Sequence, residues 1–226
     1  MLKNIVQFFL LVVLSLCVVA PNFAAKFARS DALLQIVTYC LDPSLENYCH
    51  QCPSPKEGAQ CPGVRTCAKT TDVWASTEKY VAIRDLKMCG CPTEFVHGLA
   101  MPLAVVTGVE DSRRTEGIWQ FAWDTAVNRI EPEAIALVVN PKGQRSQNQL
   151  HVHIVRLNQH ARAQFNQELS SIVVSLDHVW STAAHSAATK GLADYGVLVT
   201  QTASQQFLVV VTANSPEAAF TIWHCK

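Results

Sequence analysis

The chain has 226 residues, with 18 Lys and Arg against 18 Asp and Glu, so its formal charge is zero. Nearly half of the residues are apolar (49%), only 16% are charged, and nine are Cys. Such a chain is too apolar and too poor in charge to be intrinsically disordered, and without a basic block it is a poor nucleic-acid binder. One domain is expected, since domains run to about 100–200 residues.

Lys3 is the sole charge before Lys26, and only Gln7 and Ser15 interrupt the apolar run from Ile5 to Ala20. A positive start followed by a short apolar core predicts a signal peptide or N-terminal membrane anchor over residues 1–25. The run is shorter than the roughly 20 residues that cross a bilayer comfortably. Ala24-Ala25 offers a small-residue cleavage site, but Asn22 and Phe23 fit poorly in front of it, so cleavage and retention both stay open. Either way Lys3 stays cytoplasmic and residues 26–226 form one exported domain.

Eight cysteines follow the leader: Cys40, Cys49, Cys52, Cys61, Cys67, Cys89, Cys91 and Cys225. An even number in an exported chain predicts disulfides. Seven fall within residues 40–91, together with Pro43, Pro53, Pro55, Pro62 and Pro92 just beyond, which predicts a loop-rich, stapled segment. The alternative is zinc, held by Cys49, Cys52, Cys61 and Cys67, but a second close Cys pair at two-residue spacing is absent.

In chain order, residues 31–40 predict a short helix and Tyr80–Arg84 a strand. Residues 94–106 predict another strand, interrupted by Gly98 and Pro102. Residues 115–130 form the best helix pattern, with Trp119, Trp123, Val127 and Ile130 at helical spacing, Glu116 in the first turn and Pro132 as the stop. Trp119, Phe121 and Trp123 read as core in preference to a lipid-contacting wall. Residues 134–140 predict a buried strand, 141–144 a turn, 150–157 a strand and 159–170 a polar-faced helix. Gly196–Thr200 and Phe207–Thr212 predict a hairpin around Ala203-Ser204-Gln205. Strands and helices mix without βαβ alternation, so the expected class is α+β with an antiparallel sheet.

The string Gln147-Asn148-Gln149-Leu150-His151-Val152-His153-Ile154-Val155 carries the chemistry. On a strand, Gln149, His151 and His153 share one face, while Leu150, Val152 and Ile154 enter the core from the other. The strand rise predicts imidazoles about 7 Å apart. Two such groups can serve as phosphorus-directed nucleophile and partner, or stand as two half-buried surface histidines. A metal role lacks any Asp, Glu or Cys on the same face nearby. His97, His160, His178, His185 and His224 have no visible partners. Lys142, Arg145 and Arg156 could attract a pyrophosphate, although solvated surface charges are commoner.

The string resembles the histidine-triad signature, H-φ-H-φ-H-φ-φ, with Gln149 at the first position, His151 at the middle and His153 at the third. More of the chain resembles one branch of that superfamily, the bacterial CDP-diacylglycerol pyrophosphatases. The matching features are the apolar leader, Ile36-Val37 before Cys40, Tyr80–Asp85, Leu99–Pro102, Trp119 to Trp123, Leu137–Asn140, Gly143 to Asn148, Asp194-Tyr195-Gly196 and Cys225. Gln149 departs from the triad, but the nucleophile position is intact.

The resemblance implies a histidine-triad-like antiparallel sheet with flanking helices, a disulfide-rich N-terminal segment and a C-terminal extension over 157–226 carrying the hairpin. It implies hydrolysis of CDP-diacylglycerol to CMP and phosphatidate through a cytidylyl-histidine intermediate. His151 would be the nucleophile and His153 its polarising partner. Asn140, Ser146, Asn148 and Gln149 would hold substrate. No metal or other cofactor is implied, and Asn140 and Ser146 read equally well as turn residues. The implied substrate lies in a membrane, the implied location is the bacterial inner membrane with a periplasmic catalytic domain (or the periplasm if the leader is cleaved), and a homodimer is common in the superfamily. Two other readings stay open: a histidine-triad hydrolase of a soluble nucleotide, and a non-catalytic exported module stapled by disulfides or zinc.

Overall fold

In a computed structural model of the chain, the described residues are 30–42, 44 and 71–225. The leader and the cysteines at 49, 52, 61 and 67 lie outside them, so the anchor and zinc readings find no test there. Among the described residues, no helix is long and apolar enough to cross a membrane.

The scaffold is one antiparallel sheet with few helices, as the mixed pattern predicts. Its strands are β1 (Val73–Ser76), β2 (Tyr80–Arg84), β3 (His97–Pro102), β4 (Ile135–Val139), β5 (Val152–Leu157), β6 (Leu169–Val173), β7 (Gly196–Gln201), β8 (Phe207–Thr212) and β9 (Thr221–Ile222). They lie in the order β1-β2-β3-β5-β4-β7-β8-β6, with the short β9 pairing β5. β5 is therefore central. His153 stands opposite Leu99 of β3 on one side and Val138 of β4 on the other.

The two faces of the sheet are covered differently. Alternation sends Leu137, Val139, Val152, Ile154, Val197, Val199, Val209 and Val211 to one face. There they meet helices α2 (Gly117–Ala126) and α3 (Val179–Thr189). Trp119 and Trp123 belong to this core, with ring centroids of Trp119 and Trp180 4.7 Å apart, so the core reading of the tryptophans holds. On the opposite face the cover splits. Helix α1 (Ala32–Tyr39) puts Leu33 and Val37 over Val81, Ile83, Leu99 and Met101. Phe165 and Phe220, the latter ending helix α4 (Pro216–Phe220), pack over Ala136, Val138, Val155 and Leu157. His153 lies between these two small cores.

Several elements differ from expectation for identifiable reasons. Helix α2 ends at Ala126, and the amides of Arg129 and Ile130 both turn back to the Ala126 carbonyl. Glu116 does not serve its own helix. Its carboxylate accepts from the Trp180 and Ser181 amides (2.7 and 2.9 Å), capping α3 across the core. Residues 159–170 are not an α-helix. Gln159–Gln167 form 3₁₀ turns and Leu169 already begins β6, because its alternate residues pair with β8. Helix α3 carries Val179, Trp180, Ala183 and Ala187 inward on a background of Ser, Thr and Ala too weakly amphipathic to read from the sequence. The β7–β8 hairpin forms as expected, paired from Gly196–Thr212 to Gln201–Phe207. Cys91 and Cys225 form a disulfide, and Cys40 and Cys89 are disulfide-bonded too.

Candidate active site

His151 precedes the first residue of β5, and its side chain is folded back. Its Nδ1 lies 2.8 Å from the Gln149 carbonyl. A carbonyl only accepts, so Nδ1 carries the proton and Nε2 keeps its lone pair. Burial lowers the His151 pKa below the ordinary 6.5, partly opposed by that carbonyl, so the ring is neutral at neutral pH. Because His151 leaves strand geometry, its ring centroid lies 4.7 Å from that of His153, closer than the roughly 7 Å expected from the strand rise.

Gln149 shares the predicted face but points elsewhere. It is fully buried, donating to the carbonyls of Pro102 and Ala104 (both 2.8 Å) while its own amide oxygen lies 3.4 Å from the Val106 amide. Its side chain thus braces the end of β3 and the segment after it, and its backbone carbonyl sets the tautomer of His151. It holds no position in the cavity.

His153 belongs to a chain of polar groups. Its Nδ1 lies 3.0 Å from His97 Nε2, and His97 Nδ1 lies 3.1 Å from the Trp223 carbonyl. The carbonyl fixes the proton of His97 on Nδ1, so His97 Nε2 accepts from His153 Nδ1–H. That leaves a neutral His153 with an unprotonated Nε2, which is buried and has no hydrogen-bond partner among the described residues. Burial pushes the His153 pKa well below 6.5, with the neighbouring imidazoles adding to it. Burial also lowers that of His97, against the pull of Asp85 and Glu217. Asp85 Oδ2 is 3.4 Å and Glu217 Oε1 3.5 Å from His97 Nε2, and Glu217 Oε1 is 3.4 Å from His153 Nδ1.

Asp85, His97 and His153 bring nitrogen and oxygen atoms within 4.8 Å of one another. The 3.0 Å imidazole contact, however, spends the His97 Nε2 lone pair on a hydrogen bond, and we describe the pair as a proton-sharing couple.

These groups border a cavity of about 320 Å³ lined by Lys87, Asn140, Gln144, Arg145, Ser146, His151 and His153, and closed by Ser215, Glu217, Ala218 and Trp223. Each cation is held in place. Lys87 Nζ sits 2.8 Å from Glu217 Oε1 and 5.0 Å over the Trp223 ring. Arg145 is bound in a fork by Glu110. Asn140 Nδ2 donates to Glu217 Oε2 at 2.6 Å, and its oxygen accepts from Ser215 Oγ at 2.7 Å. The turn leading into the cavity is set by Asp194, whose carboxylate accepts from the Lys142 and Gly143 amides.

Of the residues singled out from the sequence, the structure brings Asn140, Arg145, Ser146, His151 and His153 to one cavity. Asn148 goes elsewhere, donating to Asp31 at 2.7 Å and tying the start of α1 to the loop before β5. Arg156 bonds Glu131 and the Glu94 carbonyl, away from the site. Sequence reasoning missed His97, Asp85, Lys87, Ser215, Glu217 and Trp223. His97 carried one usable signal, since it opens a strand on the same face parity as Leu99 and Met101. Glu217 carried none, because its approach to His97 and His153 joins α4 to strands far earlier in the chain.

The family described as CDP-diacylglycerol pyrophosphatase matches residues 28–186. The chain belongs to the CDP-diacylglycerol pyrophosphatase family. It is accordingly an enzyme, a hydrolase of phosphoric anhydrides. No curated protein matches the sequence. The family match takes in His97, Asn140, Ser146, His151 and His153. Ser215, Glu217 and Trp223 lie beyond its end, yet they complete the wall of the cavity.

Proposed function

We propose that the protein hydrolyses CDP-diacylglycerol to CMP and phosphatidate by double displacement at His151, in the manner of the histidine-triad superfamily. The observation that supports this reading is the Gln149 carbonyl on His151 Nδ1, which presents a neutral imidazole to the cavity with Nε2 free to attack. Nε2 attacks the CMP-side phosphorus. The bond from that phosphorus to the bridging oxygen breaks, and phosphatidate departs with that oxygen. A phosphate is a good leaving group and needs little acid assistance. Water then attacks the same phosphorus, the P–N bond breaks, CMP is released, and the water's second hydrogen leaves as a proton to solvent.

Lys87, Arg145, Asn140 and Ser146 supply positive charge and donors for the pyrophosphate oxygens. Both cations are already oriented by carboxylates, so little reorganisation is needed when charge develops. The apolar leader would tether this domain to the inner membrane with the cavity on the periplasmic side, where the lipid headgroup is reached.

Purified protein supplied with CDP-diacylglycerol in mixed micelles tests the reading. We expect CMP release that His151→Ala abolishes, and a quenched reaction with one CMP mass added to the peptide containing His151. Full turnover by the Ala variant would sink the nucleophile assignment. Cleavage confined to soluble nucleotides would replace the lipid substrate.

A further inference from the structure

The protons in the site can be counted from its hydrogen bonds. The Trp223 carbonyl fixes His97 Nδ1–H, His97 Nε2 must then accept, and His153 Nδ1 must donate. In this neutral arrangement His153 Nε2 is an acceptor only. It cannot donate to a phosphoryl oxygen, and two acceptors facing each other repel. The couple can meet a phosphate only by taking up one more proton, with Nε2 of His153 becoming N–H.

Such a proton needs a counter-charge, and the fold supplies one. Glu217 is buried and places Oε1 3.4 Å from His153 Nδ1 and 3.5 Å from His97 Nε2. The same oxygen holds Lys87 Nζ at 2.8 Å, and the other holds the Asn140 amide. We propose that Glu217 is a positioning residue of the reaction: it supports the extra proton that the His97–His153 couple takes from solvent as the pyrophosphate binds, so that His153 Nε2–H donates to a phosphoryl oxygen. The segment that carries it, residues 215–225, lies beyond the family match and is tied back by Cys91–Cys225. This inference rests on the His151 reading above and adds the residue that sets the protonation of its partner.

Among the described residues, the charged and titratable groups facing the couple are Asp85 and Lys87 after β2, His151 before β5 and Glu217 on α4, with Arg145 further along the cavity wall. Asp85 and Glu217 favour the added proton, and the three cationic or imidazole neighbours oppose it. Because the couple must be protonated in the substrate complex, kcat falls as pH rises through its pKa. Removing the Glu217 charge lowers that pKa and moves the alkaline limb to lower pH. An opposite charge at this range is typically worth about 1–3 pH units.

The experiment is the pH profile of kcat for the full chain and for Glu217→Gln, Glu217→Asp and Lys87→Gln, with folding checked by thermal unfolding. We expect the alkaline limb to move acidward by about 1–3 units in Glu217→Gln and to stay near its wild-type position in Glu217→Asp. It should move to higher pH in Lys87→Gln, where Glu217 is released from its ammonium partner. Shifts of opposite sign cannot arise from a merely structural role. A uniform loss of kcat with unmoved limbs in Glu217→Gln and Lys87→Gln would overturn the proposal even where His151→Ala is inactive, and activity surviving in His151→Ala would instead strike the underlying reading. If Glu217→Gln does not fold, the Lys87→Gln limb decides alone, and an unmoved or acidward limb overturns the proposal.

Discussion

At the residue scale, Gln149 shows how position in a motif and role in a fold can part. Its place in the string suggests a member of the catalytic face. The structure uses its side chain to satisfy three backbone groups at and beyond the end of β3, the carbonyls of Pro102 and Ala104 and the amide of Val106, of which those of Pro102 and Val106 belong to buried residues. A neutral imidazole offers one donor and one acceptor, so His at this position would leave one of those groups unpaired. An unsatisfied buried group costs about 1–3 kcal/mol. Gln149→His is therefore expected to lower unfolding free energy by about that amount and to leave kcat no higher, although it completes the triad sequence. Denaturant titration alongside the CMP assay checks both halves, and a faster enzyme of unchanged stability would refute the bracing role. The alternation that put His151 and His153 on one face was legible because a strand has a two-residue period. The contact of His153 with His97 was not, because it joins residues 56 positions apart.

At the element scale, the C-terminal segment acts as a wall of the site. Ser215 opens α4 by accepting the Ala218 amide and donating to Asn140. Helix α4 presents Glu217, β9 pairs with Arg156 and Leu157, and Trp223 offers its carbonyl to His97. Gly196 permits this approach, since a Cβ there would come within 2.5 Å of the Pro216 ring. The Cys91–Cys225 disulfide closes the segment over a sequence separation of 134 residues. In Cys225→Ser we expect a stability loss of about 2–4 kcal/mol from the freed unfolded chain. Because small misplacements of positioning groups are costly, kcat should also fall by about 10–100-fold. Initial rates measured well below the unfolding midpoint separate the two effects. Wild-type rates there would show that the wall holds without its staple.

At the scale of the whole molecule, one sheet serves two purposes. One face is sealed by α2 and α3 over a continuous apolar core, and the other leaves a polar gap between two small cores. That gap keeps His97, His151 and His153 out of water, and all three have pKa values below the ordinary 6.5 because of burial. Their folded-state values are depressed, so the unfolded chain binds protons first as the pH falls. The stability linked to them is whole above about 6.5 and is lost progressively below it, by up to about 1.4 kcal/mol per pH unit for each group. Unfolding midpoints should therefore drop between pH 6.5 and 5, before the carboxylates titrate, and less steeply in His97→Asn. A flat profile over that range would contradict buried, neutral histidines.

The sequence by itself determined what is periodic or contiguous: an α+β class, the strand that carries His153 with His151 just ahead of it, the tryptophan core, and a family resemblance that residues 28–186 bear out. These follow from side-chain alternation and helical spacing, which act between neighbours along the chain. Only the tertiary structure decided that Gln149 braces a loop, that Asn148 ties down α1, and that His97, Lys87 and Glu217 converge on His153. The reason is that protonation and charge pairing depend on distances of 3–4 Å between groups, and a sheet order of β2-β3-β5-β4 brings those groups together from distant parts of the chain.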